Sequence, residues 1–235
     1  MFRLFDQRSH KLERLDTGDY TPEEYSKWQS EMRMINRLLG DARALRLSLR
    51  PELHSSACAH LSSLDVGAGS GELLKTAKES FDNRLTFLVG AERNENASKT
   101  INARFDEFSV RAVRCDALRL PFADDSFDFV ISSLFLHHLT DRQAVILIVE
   151  MSRVARRRFF VIDLHRHPTA YHLYNKLGRF VLQKFTLEDG SLSILRGFRP
   201  SELLDLAAAA GINDAVVKRR AAFRLVLSGG KRIKG

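Results

Sequence analysis

The stretch Leu64-Asp65-Val66-Gly67-Ala68-Gly69-Ser70-Gly71-Glu72-Leu73 narrows the folds open to this chain more than any other. An apolar strand ends in an acid and runs into glycines at alternate positions. Such glycines remove Cβ atoms where the backbone turns from strand to helix and passes close to a ligand. The spacing is neither the dinucleotide fingerprint G-x-G-x-x-G nor the phosphate loop G-x-x-x-x-G-K-[ST]. Taken alone, the loop leaves two readings open: a tight strand-to-helix turn, or the cradle of a nucleoside-bearing ligand.

The residues after the loop supply the groups that a bound adenosine requires. A helical stretch runs from Glu72 to about Glu79, and Leu85 to Gly90 is an apolar run of strand length ending at Ala91-Glu92. Glu92 lies 21 positions beyond Gly71 (92 − 71), near the offset of about 20 at which a nucleotide-binding α/β unit places an acid for ribose hydroxyls. One carboxylate accepts both hydroxyl protons. A third strand over Arg111 to Cys115 closes at Asp116, and a fourth spans Phe127 to Ser132. A helix over Asp141 to Val154 precedes a fifth strand, Arg158 to Ile162, that ends at Asp163. Pro200 opens a last helix that stops at Gly211, and Ala215 to Val217 with Phe223 to Leu227 predict a closing strand pair. Strands alternating with helices imply βαβ units, a parallel sheet, and ligands beyond the carboxyl ends of the strands.

These residues resemble the class I S-adenosylmethionine-dependent methyltransferases of the UbiE-like, type 11, small-molecule kind. The glycine loop and the strand-end acids carry the resemblance, together with Leu120-Pro121-Phe122 through Asp128 and Leu136-His137-His138-Leu139. It implies a Rossmann-like, seven-stranded, mostly parallel sheet with helices on both faces, S-adenosylmethionine as cofactor and S-adenosylhomocysteine as product. By it, Asp65 orders the loop near the methionine end, Gly67, Gly69 and Gly71 let the backbone approach, and Asp116 meets the adenine amino group. Glu92, where many relatives carry Asp, still reaches a ribose diol, and Ala68, Arg93, Ala117 and Leu134 complete the expected cofactor contacts. Residues 54–235 are then the cofactor-binding domain, 1–53 an N-terminal helical lid, and 165–199 a substrate-cap insertion.

At 235 residues and 44% apolar, the chain has enough apolar side chains for one sizeable α/β core. Its longest apolar run, Ala144 to Val149, is far short of the roughly 18 residues of a spanning helix. Met1-Phe2-Arg3-Leu4-Phe5-Asp6 lacks a signal-peptide apolar region, so a cytoplasmic location is expected. Cys58 and Cys115 read as ordinary buried thiols. Monomer and homodimer both stay open.

A sulfonium methyl is already activated, so the chain must align a nucleophile and, for a hydroxyl, remove a proton. His137 and His138 follow the fourth strand, and Asp163 ends the fifth. A histidine oriented by a carboxylate is a competent base, and comparable positions have been proposed as a base pair in natural-product O-methyltransferases resembling this chain. The plainer reading is that one histidine caps or packs the following helix. For the acceptor, Trp28 and Met32 lie on an N-terminal helix opened by Thr21-Pro22-Glu23-Glu24. Its apolar stripe reads as a packing face, a lid, or both. His165, Tyr171 and Tyr174 fall in the insertion, where aromatics suit a flat acceptor. The spacing of His165, His167 and His172 matches no strong metal pattern, so no metal is expected.

A net charge of +8 raises nucleic acid as a competing partner. The basic runs place Arg156-Arg157-Arg158 before the fifth strand, at the edge opposite the cofactor, Lys218-Arg219-Arg220 in the turn between the last strands, and Lys231, Arg232 and Lys234 in a tail. Charge runs usually mark solvated faces. The expectation is methyl transfer to a small aromatic acceptor, on oxygen rather than carbon. An RNA methyltransferase and a non-catalytic cofactor-binding protein are the alternatives.

Overall fold

The computed structural model describes residues 2–55, 60–81, 84–104 and 110–230. Cys58 and the basic tail residues Lys231, Arg232 and Lys234 lie outside them. The strands are β1 (Leu61–Val66), β2 (Leu85–Glu92), β3 (Val110–Arg114), β4 (Phe127–Ser133), β5 (Ala155–Leu164), β6 (Val216–Arg220) and β7 (Arg224–Gly229). The helices are α1 (Arg14–Thr17), α2 (Pro22–Leu39), α3 (Asp41–Ser55), α4 (Glu72–Phe81), α5 (Glu95–Arg104), α6 (Asp141–Val154), α7 (Pro168–Val181), α8 (Lys184–Arg196) and α9 (Pro200–Ala209). Among the described residues the strands form one seven-stranded sheet in the order β3-β2-β1-β4-β5-β7-β6. Only β7 runs antiparallel to its neighbours.

The central strands are apolar at successive positions because both sheet faces are covered. Adjacent residues point to opposite faces. Val130, Val161 and Leu225 pack with Leu147 and Met151 of α6 and Leu203 of α9, whereas Ile131, Ile162 and Val226 pack with Leu45 and Leu49 of α3, Leu74 of α4 and Ile101 of α5. Each such side chain, fully buried, contributes roughly 1.5–3 kcal/mol. Helix α3, all but two residues of which lie within the first 53, is therefore a layer of the sheet's core.

Local sequence sets the helix starts. Thr21 and Glu24 form a reciprocal capping box at the α2 start, with Pro22 at the first helical position. Thr140 and Gln143 do the same for α6.

Two basic runs sit differently from the sequence expectation. Strand β5 begins at Ala155, so Arg156, Arg157 and Arg158 lie within it, and Lys218, Arg219 and Arg220 lie in β6, the turn being residues 221–223. Edge strands such as β6 tolerate Lys and Arg because solvent lies beside them. At the amino end of β5, Arg156 and Arg157 pair with buried Asp128 at 3.3 and 2.9 Å, and Arg158 meets Glu52 at 3.5 Å and Asp214 at 3.9 Å. Among the described residues no helix is long and apolar enough to cross a membrane.

Candidate functional site

Strand order reverses between β1 and β4, which opens a crevice at their carboxyl ends. Its first half is built from backbone. Gly67, Gly69 and Gly71 all have positive φ, at 74°, 52° and 77°. The amides of Gly67 and Ala68 donate to the Ala91 carbonyl at 2.9 and 3.3 Å, tying the loop to the end of β2. Buried Ser132 of β4 donates to the Val66 carbonyl at 2.9 Å from the other side. A Cβ on Gly67 would come within 2.7 Å of the Phe135 ring, whereas one on Gly69 would find no atom within 4 Å. Glycine at 67 serves packing, and the space over Gly69 is open.

Glu92 bridges this loop to the next helix start: Oε2 accepts from Gly69 N at 2.9 Å and Oε1 from Asn94 N at 2.8 Å. Asp65 is buried, and burial, then the charge of Glu92, push its carboxyl up to about 7. Asp116 is exposed just past β3 and accepts from Leu118 N at 2.9 Å. Ala117 beside it is half-buried and Arg93 exposed. Cys115 is half-buried rather than buried, because it lies beyond the end of β3 at the rim. Burial, then Asp116 and Glu92, raise its thiol pKa. Leu134 takes φ 51° while its amide still donates to the Ile162 carbonyl at 2.9 Å. A left-handed leucine costs roughly 1–2 kcal/mol, and such strain concentrates at functional sites. An open loop, a carboxylate gripping it and an exposed acid one strand away fit a nucleoside-bearing cofactor.

The second half is built from charged side chains. The β4 strand ends in a short 3-10 turn, Leu136–His138, whose His137 is 3% exposed. His137 Nδ1 lies 2.7 Å from Asp163 Oδ1 at the end of β5, and the His137 amide donates to Asp163 Oδ2 at 3.2 Å. Burial raises the Asp163 carboxyl, but the His137 charge and hydrogen bonds from His137 and Leu164 hold it below the usual range. His138 Nδ1 contacts Asp16 Oδ1 at 3.2 Å. Arg196 then clamps the turn: Nε donates to the His137 carbonyl at 3.1 Å, Nη2 to the His138 carbonyl at 2.9 Å, and Nη1 pairs with Asp16. Arg8 adds a bond to the His137 carbonyl at 3.3 Å. Glu13 is buried, and burial pushes it up to about 7 against the charges of His138 and Arg196.

Glu13, His137 and His138 each offer a ligand-type atom, all within 4.8 Å of one another. The Arg196 guanidinium, 3.8 Å from Glu13 Oε1, already supplies positive charge there. Arg8, Glu13, Asp16 and Arg196 escape a reading of the sequence because they approach His137 and His138 from 58 to 129 positions apart with no periodicity between them.

The expected acceptor contacts join the flanking helices to one another. Trp28 of α2 stacks near Tyr25 at 5.8 Å and Phe185 at 6.3 Å, and Met32 is half-buried on the same helix. Tyr174 of α7 donates to the Thr186 carbonyl of α8 at 2.8 Å, and burial raises its pKa. Tyr171 packs edge-on against Phe5 at 5.6 Å. His165 follows β5, its amide bonded to the Phe223 carbonyl at 2.9 Å.

Comparison with known proteins agrees with this architecture. Residues 64–161 match the Methyltransferase domain family of type 11. Over 94 residues, 40% of this chain, it is 31% identical to tRNA (carboxymethyluridine(34)-5-O)-methyltransferase alkbh8 of Xenopus tropicalis, spanning 13% of that protein's length. Among solved structures, the plantazolicin methyltransferase BpumL in complex with SAH superposes with a TM-score of 0.67 at 13% identity, over 89% of this chain and 90% of that one. A SAM dependent methyltransferase from Aquifex aeolicus gives a TM-score of 0.60 at 15% identity, over 85% and 96%. Residues 64–161 thus match the type 11 methyltransferase domain family, within a chain that has the class I S-adenosylmethionine-dependent methyltransferase fold.

Proposed function

We propose that the chain transfers a methyl group from S-adenosylmethionine to a small aromatic acceptor, on a hydroxyl oxygen rather than a ring carbon, with His137 as base and Asp163 as its orienting partner. The buried 2.7 Å pair of His137 and Asp163, at the carboxyl ends of the two strands beside the glycine loop, carries this reading. The cofactor, when bound, supplies an activated methyl and leaves as S-adenosylhomocysteine. Gly67, Ala68, Gly69, Gly71, Glu92 and Asp65 hold it from the β1–β2 side, with Arg93, Asp116, Ala117 and Leu134 around the nucleoside. His137 Nδ1–H donates to Asp163, which leaves the Nε2 lone pair to accept the acceptor's hydroxyl proton. His138, held by Asp16, is the second candidate base.

Because His137 is closed over by the segment carrying Arg8, Glu13 and Asp16, this segment lifts for an acceptor to enter. Trp28, Met32, His165, Tyr171 and Tyr174 then flank the entrance. The test is methyl transfer from labelled S-adenosylmethionine to a panel of phenols, followed by mass spectrometry. Transfer to a phenol that is lost in His137→Gln supports the reading; transfer that survives it removes His137 from the chemistry.

A second reading, methylation of RNA, draws on the name of the alkbh8 relative and on the net charge of +8. Against it, Arg156, Arg157 and Arg158 are spent in ion pairs at the far end of the sheet. Salt-sensitive incorporation of label into bulk tRNA, with none into phenols, would select it. Cofactor binding without turnover on either would leave a non-catalytic binding protein.

A further inference from the structure

Just past the end of β5 that carries Asp163 lies a cavity of ≈ 530 Å³, walled by residues 165–167, the starts of α7 and α9, β6, and Phe5 and Asp6 of the N-terminal segment. Its lining is cationic. Arg166, fully buried, is neutralised by Glu202, which takes Nη1 at 2.9 Å and also bonds Nη2. Among the described residues Arg199 pairs with Asp6, at 3.2 Å, and the Asp6 side chain is 57% exposed. Arg219 of β6 is exposed and has no ion pair among the described residues. Two histidines complete the wall. His167 Nδ1 accepts the Thr169 amide at 3.2 Å, so in the neutral ring the hydrogen sits on Nε2, a donor. That ring is held by stacking on Phe223 at 5.4 Å and contact with His165 at 5.2 Å. Burial, then the positive charges of His167, Arg219, Arg166 and Arg199, push His165 down to about 4. The start of α7, with Pro168 at its first position, adds the positive end of a helix dipole.

We propose that this cavity binds an oxyanion, a phosphate or a carboxylate, carried by the methyl acceptor, with Arg199, Arg219, His165 and His167 as its ligands. The charge count points to it. Arg166 and Glu202 cancel, leaving two guanidiniums against one exposed carboxylate, beside two imidazoles able to donate. Asp6 acts as an intramolecular placeholder that swings out as the ligand arrives. Placement points the same way: His165 lies two residues beyond Asp163 along the same strand end, about 7 Å away at the rise of an extended chain. An acceptor anchored here by its anion would present its remaining atoms toward His137. As an anchor for the acceptor this rests on the methyltransferase reading; as an anion site it does not.

The test therefore begins without cofactor. The imidazole signals of His165 and His167 are followed by NMR against pH in sodium chloride, then in inorganic phosphate or acetate at matched ionic strength. A saturable response is expected, with the His165 midpoint rising by about one unit or more as the bound anion offsets the repelling charges around it. Stronger binding of phosphate or of acetate identifies which oxyanion the acceptor carries. Arg219→Gln should weaken the anion about tenfold, one charge-assisted hydrogen bond, with the far-ultraviolet spectrum unchanged. A response no larger than that of chloride, or equal affinity in Arg219→Gln, overturns the proposal. So does tight binding of polyuridine with no saturable phosphate response, which would make the wall a strand track. Saturable phosphate binding with no methyl transfer to any acceptor would sink the enzymatic reading and leave the anion site standing. Once an acceptor is known, Arg219→Gln should raise KM for its anionic form about tenfold and leave kcat and the neutral analogue untouched.

Discussion

The two halves of the crevice are held by different physics. At the β1–β2 end the geometry is backbone: three glycines at positive φ, amides paired with the Ala91 carbonyl, and a space over Gly69 that no side chain enters. At the β4–β5 end it is charge brought from afar: Asp163 on His137, Asp16 on His138, and Arg8 and Arg196 on the carbonyls between. A backbone cradle accepts one ligand shape and needs few identities along the chain. A cradle of side chains can be rewritten residue by residue, so the proposed methyl transfer assigns the invariant reactant to the first end and the variable one to the second. Substitutions at one end should therefore leave the other's function standing.

The largest separation is expected from Asp163→Asn. The amide can no longer take the Nδ1 hydrogen as a carboxylate does, so methyl transfer should fall about 10²- to 10⁴-fold, the usual worth of a general base and its orienter. Cofactor affinity by calorimetry should stay within about twofold, because the Asp163 carboxylate bonds His137 and Leu164 rather than the glycine loop. Parallel loss of both would erase the division. Arg196→Ala comes next. It strips hydrogen bonds from the His137, His138 and Lys11 carbonyls and a charge from Asp16, which is 23% exposed. Fully buried pairs cost about 3–5 kcal/mol to break, and this partly solvated one should cost about 2–3 kcal/mol in urea unfolding. Proteolysis between residues 8 and 17 should accelerate while cofactor binding persists; cleavage unchanged from wild type would mean the segment is held by something other than the clamp.

The same contrast explains what the chain disclosed as a sequence. Gly67, Gly69 and Gly71 and the strand-end acids Asp65, Glu92 and Asp116 are legible because short-range spacing along a βαβ unit maps directly onto position at the sheet's carboxyl edge. The His137 and Asp163 pair was reachable by the same logic, each sitting at or just past a strand end. Arg8, Glu13, Asp16 and Arg196 were not: nothing in Arg8 alone says that it will meet residues about 130 and 190 positions away. The aromatic residues Trp28, Tyr171 and Tyr174 were visible as types, but the pattern could not tell helix-to-helix packing from a pocket wall. Basic runs misled at boundaries, since Arg156 and Lys218 both lie inside strands that alternation could not extend through consecutive charges.

A finer probe of the backbone half is Gly69→Ala. A Cβ there meets no protein atom within 4 Å, so stability should fall only by the left-handed penalty of about 1 kcal/mol. Cofactor affinity should fall further, about tenfold to thirtyfold, because the methyl group takes space the ligand needs. Loss of stability without loss of affinity would show that the space over Gly69 is not the ligand's.

The pH dependence of cofactor binding is the effect whose sign is most constrained. The Asp65 carboxyl stands at about 7 when folded against 3.8 for an ordinary aspartate, so between these values the folded chain keeps a proton that the unfolded chain has released. Its contribution to stability is complete below pH 3.8 and is lost as pH rises through about 7. Binding a cofactor with an ammonium and a sulfonium reverses that preference, because nearby positive charge favours the carboxylate. Binding should then release a proton below about pH 7, and affinity should drop by up to tenfold per pH unit on acidification, a slope that Asp65→Asn removes. Calorimetry from about pH 5.5 to about pH 8, in two buffers of different ionisation enthalpy, reads both the slope and the proton. A profile unchanged between wild type and Asp65→Asn would place the cofactor's charges away from Asp65, and the backbone half would then be selecting its ligand by shape alone.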